Sequence, residues 1–491
     1  MGEEIDQQEF GGSDRTRHRV KLRRCLEALA RLLREHRFEA DDPMTGLEVE
    51  LNLVDDQGEP ALKNDEVLAA IGDPDFQTEL AQFNIELNVP PRPLHDGGLT
   101  AFEEHLGGAI SAAEERAAEV GAHLVLIGIL PTVTERHLGI DSISANPRYS
   151  VLNEQVLAER GEDISIAIGR RERLRTAADS VMPEAACTST QFHVQVRPEE
   201  FAAYWNASQA ISAVQVAVGA NSPYLLGREL WRETRIPLFE QSTDTRSEEL
   251  KAQGVRPRVW FGERWITSVF DLFEENARYF PPLLPVLDDE DPLAVLDAGG
   301  TPSLAELKLH NGTIYRWNRP VYDVVGTADD GVPHLRVENR VLAAGPTVTD
   351  VVANAAFYFG LVRSLAESAR PLWSQMSFSA ADDNFHTAAR DGIGAEIYWP
   401  GVGAVSVTEL VLRRLLPLAR EGLAAWGADP SESDRLLGII EQRCVLRTNG
   451  AEWLVGRMRA RSGEDRMTAL RATLQEYRER MATNEPVHTW D

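Results

Sequence analysis

Cysteine is scarce in this chain: Cys25, Cys187 and Cys444 are the only three in 491 residues, and no two form a CxxC pair. That spacing excludes a disulfide framework or a zinc ribbon and is the usage expected of reduced cytoplasm. Lysine is rarer in proportion. Lys21, Lys63, Lys251 and Lys308 are the whole set, and arginine supplies the remainder of the 50 basic residues. Positive charge is short overall, with 77 acidic residues and a net charge of −27. A broad nucleic-acid footprint needs a basic surface and is therefore excluded, whereas a local cationic pocket for a small anion is not. The longest apolar run, His123-Leu-Val-Leu-Ile-Gly-Ile-Leu130, falls far short of the ~20 residues that cross a bilayer. The acidic start MGEEIDQQEF lacks an apolar h-region and is not expected to be a signal peptide. Also missing are GxxxxGK[ST], GxGxxG behind a strand, HExxH and GxSxG. Any nucleotide is then expected to be held by side chains and metal on a sheet, not by a glycine-rich loop.

A chain with 43% hydrophobic and 26% charged residues has enough apolar content for a large self-sufficient core. Strict alternation marks strands at Leu47–Leu53, Phe83–Val89, Gln191–Val196 and Leu335–Val341. A hairpin is expected to turn at Asn311-Gly312 and run to Arg319. Helical periods fill Leu99–Val120, Glu199–Gly219 and Thr347–Ala369, and they dominate after about Phe378. The order of elements lacks regular βαβ alternation. We therefore expect an α+β fold with a mostly antiparallel sheet, flanking helices and a helical C-terminal extension. The expected division is a catalytic unit over 1–377 and the extension over 378–491.

Side chains alternate faces along a strand, so Glu48 and Glu50 emerge together, opposite Leu47, Val49 and Leu51. Glu86 stands on a second polar strand face with Asn84 and Asn88. His193 lies on a third with Gln191 and Gln195, and Glu338 on a fourth with Arg336 and Arg340. Each pattern alone has a plainer reading, as a solvated strand face or a surface ion-pair stripe. Joined in one sheet, however, they place four carboxylates, an imidazole and two guanidinia on one face. Carboxylates that close repel unless a cation lies between them, and oxygen ligands select a hard ion, Mg²⁺ or Mn²⁺. Arginines beside such ions suit a triphosphate.

In the order of Gly46-Leu-Glu-Val-Glu50, Gln82-Phe-Asn-Ile-Glu-Leu-Asn88, Thr190-Gln-Phe-His-Val-Gln-Val196, Ala220-Asn-Ser-Pro223, Thr234-Arg-Ile-Pro-Leu-Phe239 and Arg336-Val-Glu-Asn-Arg340, the chain resembles a known family. That family is the glutamate–cysteine ligases of the bacterial and plant type, within the glutamine synthetase-like superfamily, and the resemblance spans roughly residues 44–370. It implies an ATP-dependent ligase that joins the γ-carboxylate of L-glutamate to a small amino acid through γ-glutamyl phosphate. By matching motifs, Glu48, Glu50, Glu86, His193 and Glu338 would hold Mg²⁺ (or Mn²⁺). Arg340, with Arg336 and His193, would face the nucleotide, and Arg340 and Glu338 would act at the transferring phosphoryl. Arg235 would grip the glutamate carboxylate, and Arg319 would be a further anion site. The acceptor is cysteine by family default or a specialised small amino acid, propargylglycine being one example. Two other readings stay open, a phosphotransferase of the guanido kinase type and a non-catalytic nucleotide-binding protein. No residue pattern speaks to the oligomeric state.

Overall fold

The computed structural model describes residues 10–35, 38, 42–326 and 331–491. Its centre is one seven-stranded sheet, built from β1 (Thr45–Val54), β2 (Phe76–Thr78), β3 (Asn84–Arg92), β4 (His123–Val125), β5 (Ser189–Gln195), β6 (Asn318–Val325) and β7 (Val332–Ala343). The strand order is β6-β7-β5-β1-β3-β2, with β4 pairing the far end of β1. Every pairing in this sheet is antiparallel. The alternating strands expected from sequence thus become the inner strands of a single sheet.

Period-two alternation sends Leu47, Val49, Leu51, Ile85, Leu87, Phe192, Val194, Leu335 and Val337 to one face, where all are buried. Against that face pack two helices that are apolar almost all round, Phe201–Gly219 and Val348–Ala366. Phe192 of β5 stacks on Tyr358 at 5.7 Å and meets Phe359 at 5.8 Å. β1 is nonetheless buried nearly throughout, because its polar face is covered too. Helices Pro147–Arg160, Arg235–Ser242 and Ala305–Asn311 and the turn Glu184–Ala186 arch over it and roof a cavity.

Asn311-Gly312 is not a hairpin turn. Asn311 ends a helix, its side chain bonds Pro320 O and Asn276, and the Gly312 N–H caps the helix at Lys308 O. Buried side-chain partners outweighed a local turn signal there. The C-terminal segment is mostly helical, as expected, but it also carries the hairpin Glu396–Trp399/Gly403–Ser406. Its helices share the central core. A side-chain carbon at Gly422 would lie 1.8 Å from Gly360 O, so helix Leu416–Ala425 touches helix Val348–Ala366 backbone to backbone. Farther along, Arg443 Nη2 meets Asp350 Oδ1 at 2.6 Å, both side chains buried.

Candidate active site

Register explains why the polar residues converge. Glu50 of β1 is paired directly with Glu86 of β3, and Glu48 with Gln191 of β5. His193 of β5 lies opposite Gly46 on one side and Glu338 of β7 on the other. Glu338 in turn faces Arg319 of β6. A Cβ at Gly46 would sit only 3.2 Å from that of His193, so a side chain there would press on the imidazole. Glu48, Glu50, Glu86, Glu338, Arg235, Arg319, Arg336 and Arg340 all line one cavity of about 630 Å³. That volume suits small-molecule substrates.

The cavity has an acidic and a basic side. On the acidic side, carboxylate oxygens of Glu50, Glu79 and Glu86 lie within 4.8 Å of one another, close enough to share a cation. Glu50 is aimed by three donors: Ser189 N–H at 2.6 Å, Ser189 Oγ at 2.7 Å and Gln191 Nε2 at 3.1 Å. Burial, compounded by neighbouring carboxylates, raises Glu86 well above the usual range. The same causes, burial and then Glu50, push Glu79 up to about 7. Glu184 rises to about 8 through burial and then Glu79 and Glu50, with Arg340 counteracting. Crowded carboxylates that resist ionisation are the behaviour expected of a cation site, since a bound divalent ion would reverse the penalty.

The basic side is organised by Glu338. Its carboxylate accepts from Arg319 Nε at 3.1 Å and Nη2 at 2.7 Å, and from Arg340 Nη1 at 3.1 Å. Burial opposes its ionisation, but these arginines prevail and hold its pKa near 2. Glu48 behaves likewise: burial is outweighed by His193 and Arg336, which keep it below the usual range. His193 Nε2 lies 3.0 Å from Glu48 Oε1, an ion-pair distance without hydrogen-bond alignment. Its Nδ1 accepts from Arg336 Nε at 3.2 Å. The residues expected to form one ligand set therefore divide. Glu50 and Glu86 join a carboxylate triad, while Glu48, His193 and Glu338 stand beside it, already engaged with each other or with arginine.

Arg235 lines the cavity, yet Nη1 and Nη2 donate to Val341 O at 3.2 Å and Arg340 O at 2.9 Å. It fixes the end of β7 and also lies 3.6 Å from the buried Glu233 carboxylate, so the scaffold engages much of its guanidinium. The Ala220–Pro223 loop is bound into the scaffold, with Asn221 Nδ2 donating to Ala344 O and to Tyr477 Oη. An aromatic wall closes one flank: Phe239 meets Tyr315 at 5.2 Å and Trp317 at 5.6 Å. Glu240 accepts from Trp317 Nε1 at 3.3 Å and lies 3.1 Å from His386 Nε2, so the C-terminal segment supports this wall. Glu79, Glu184, Arg148 and Tyr315 line the cavity but carry no strand-alternation signal, since all lie on loops, helix starts or a two-residue bridge.

Comparisons with known proteins bear on the fold and on the family. In fold, the chain is similar to the glutamate–cysteine ligase of Francisella tularensis, solved in complex with AMP, with a TM-score of 0.56 at 10% identity over 92% of this chain and 90% of that one. A bifunctional glutathione synthetase from Pasteurella multocida aligns with a TM-score of 0.44 at 12% identity, over 93% of this chain and 55% of that one. A search of curated protein sequences finds no match. The chain does match the model of glutamate-cysteine ligase family 2 (GCS2) across residues 44–469, which include every strand of the central sheet and all but the end of the C-terminal segment. The chain therefore belongs to glutamate–cysteine ligase family 2 and is an ATP-dependent carboxylate–amine ligase.

Proposed function

We propose that the cavity binds ATP and L-glutamate, forms γ-glutamyl phosphate, and passes the γ-glutamyl group to the amine of a small amino acid. The observation that carries this reading is the carboxylate triad Glu50, Glu79 and Glu86 sharing one cavity with the arginines gathered on Glu338. In the first step an oxygen of the glutamate γ-carboxylate attacks the γ-phosphorus, the bond to the β-phosphate oxygen breaks, and ADP leaves. In the second, the amine nitrogen attacks the acyl carbon, the carbon–oxygen bond to phosphate breaks, and the amine loses a proton.

Glu50, Glu79 and Glu86 fit a hard divalent cation by ligand type and spacing, with Glu48, His193 and Glu338 beside them. Bound there, Mg²⁺ or Mn²⁺ would supply charge neutralisation for the triphosphate. Glu338 holds the Arg340 guanidinium by a single nitrogen, so the rest of that planar fork is free to meet phosphoryl oxygens as charge gathers on them. Arg319 and Arg336 lie nearby to receive other phosphate oxygens, and Arg235 at the cavity wall would meet the glutamate α-carboxylate. The wall of Phe239, Tyr315 and Trp317 limits water, which would otherwise hydrolyse the acyl phosphate. The test is ADP release with ATP, Mg²⁺ and glutamate, followed by mass analysis of the product with each amino acid. ADP release that is independent of glutamate would refute the reading.

A further inference from the structure

The aromatic wall of the cavity is thin at Trp317. The indole lines the cavity yet is only 2% exposed, because Glu240 and Phe385, neither of which lines the cavity, cover it from behind. Glu240 accepts from Trp317 Nε1 at 3.3 Å, and the Phe385 ring lies 5.5 Å from the indole. Solvent comes next: the side chains of Glu240 and His386 are 20% and 35% exposed. His386 Nε2 lies 3.1 and 3.2 Å from the two Glu240 carboxylate oxygens. Its Nδ1 is 3.1 Å from the Asp382 carbonyl and 3.0 Å from Asp382 Oδ1. Carbonyl and carboxylate oxygens only accept, so both ring nitrogens carry protons and the ring is an imidazolium. Among the described residues it is the only ion-pair partner of Glu240. Helix Phe378–Asp391, which carries Phe385 and His386, also grips the start of helix Arg235–Ser242: the Ala389 and Arg390 carbonyls accept from the Glu233 and Arg232 N–H groups at 2.8 and 3.3 Å. One turn apart on that second helix, Arg235 and Phe239 both line the cavity. The Arg235 guanidinium carbon lies 5.8 Å from the centre of the Trp317 ring. Contacts thus run from His386 through Glu240 and Trp317 to a cavity arginine.

We propose that His386 is a positioning residue of the ligase reaction: through Glu240 it fixes the Trp317 indole as the barrier between acyl phosphate and solvent, and so sets the share of γ-glutamyl phosphate that reaches the amine. This rests on the ligase reading and extends it to the C-terminal segment. An ion pair this exposed adds little stability. It does hold the Glu240 carboxylate, the acceptor of the indole N–H, in one place. Without the imidazolium that carboxylate turns to solvent, the indole N–H loses its acceptor, and the ring is free to shift. Water then competes with the amine. Its oxygen attacks the acyl carbon, the carbon–oxygen bond to phosphate breaks, a proton leaves to solvent, and glutamate is regenerated. ATP is consumed and no amide forms.

The test uses the full chain with ATP, Mg²⁺, L-glutamate and saturating hydroxylamine, and measures ADP and γ-glutamyl hydroxamate in the same reaction. Hydroxylamine traps the acyl phosphate whatever the natural acceptor is. His386→Gln and Glu240→Gln should each raise the ADP formed per hydroxamate at least ~3-fold over the wild type, by admitting water to the acyl phosphate. The excess ADP should require glutamate, and glutamate KM should shift less than ~3-fold, because the substrate sites stay intact. His386→Lys, which returns a cation to Glu240, should recover part of the coupling. Trp317→Phe removes the indole N–H and should uncouple by itself. Adding His386→Gln to it should then cost less than His386→Gln costs alone, since the two residues act through one contact. Melting temperatures check that the variants are folded. An unchanged ratio of ADP to hydroxamate in folded His386→Gln and Glu240→Gln overturns the proposal. Excess ADP that forms without glutamate overturns it too, as does full additivity of His386→Gln with Trp317→Phe. Absence of hydroxamate from the wild-type reaction removes the ligase reading itself, and the positioning role falls with it.

Discussion

Glu50 and Glu86 are direct cross-strand partners on the cavity face of β1 and β3, two buried carboxylates in register. Like charges so placed cost stability, since opposed carboxylates repel and burial removes the water that would screen them. On the metal reading proposed above, the arrangement gives up stability for a site that a divalent cation would complete.

Glu86→Gln and Glu79→Gln should therefore melt at or above the wild-type temperature while losing activity by ~10²-fold, with a raised Mg²⁺ requirement. Adding Mg²⁺ should raise the melting temperature of the wild-type chain and do so less for either variant, because a ligand that binds only the folded state stabilises it. Thermal melts with and without EDTA decide this independently of turnover. Full activity in excess EDTA would sink the metal reading.

Arg340→Lys is expected to lower kcat by ~10²-fold or more with little change in glutamate KM, because lysine lacks the fork proposed to meet the phosphoryl oxygens. Were Arg340 only an ion-pair partner of Glu338, the variant would keep near-normal turnover. Steady-state kinetics, with the melting temperature as control, distinguish the two outcomes.

Asp350 anchors the C-terminal segment: it pairs with Arg443 at 2.6 Å and accepts from the Val487 N–H at 3.0 Å. Asp350→Ala leaves the Arg443 guanidinium buried and unpaired, and should destabilise the chain by ~3–5 kcal/mol. A chain ending at residue 377 should fail to unfold cooperatively, since it loses the helix seated on Gly360. A sharp, native-like melt of that truncated chain would show 378–491 to be separable.

His386 gives a pH signature. Burial weakens its proton affinity, but Asp382 and Glu240 outweigh this and lift its pKa to about 11. The folded state thus holds a proton that the unfolded chain releases near pH ~6.5. The stabilisation is complete below that value and declines as pH rises towards 11. The side chain is about a third exposed, so solvent screening keeps the contribution to ~1 kcal/mol or less. Melting temperature against pH between 7 and 10 should fall less steeply in His386→Gln than in the wild type. Parallel curves would refute this.

Much of the candidate site was legible because strand geometry is local. Period two alone places Glu48 with Glu50, and Arg336 with Glu338 and Arg340, on common faces whatever the strands pair with. Their apolar opposite faces call for one buried side, and an antiparallel sheet packed on helices supplies it. The misreading at Asn311-Gly312 marks the limit of such reasoning, since a turn dipeptide was overruled by side-chain partners distant in sequence.

The amino-acid sequence by itself determined the class of fold, the strands and the sidedness of their charged residues, all consequences of φ/ψ geometry and of burying apolar faces. Tertiary structure alone decided which charges meet. Glu79, Glu184 and Arg148 reach the cavity through loops and helix starts, where no periodicity constrains direction. The capture of Glu338 by Arg319 depends on the register of β6 against β7, and the support of Trp317 by Glu240 and His386 on helices whose residues lie 146 positions apart in the chain. Such pairings are set by long-range packing, in which many weak contacts jointly choose one register, and no short stretch of sequence carries that choice.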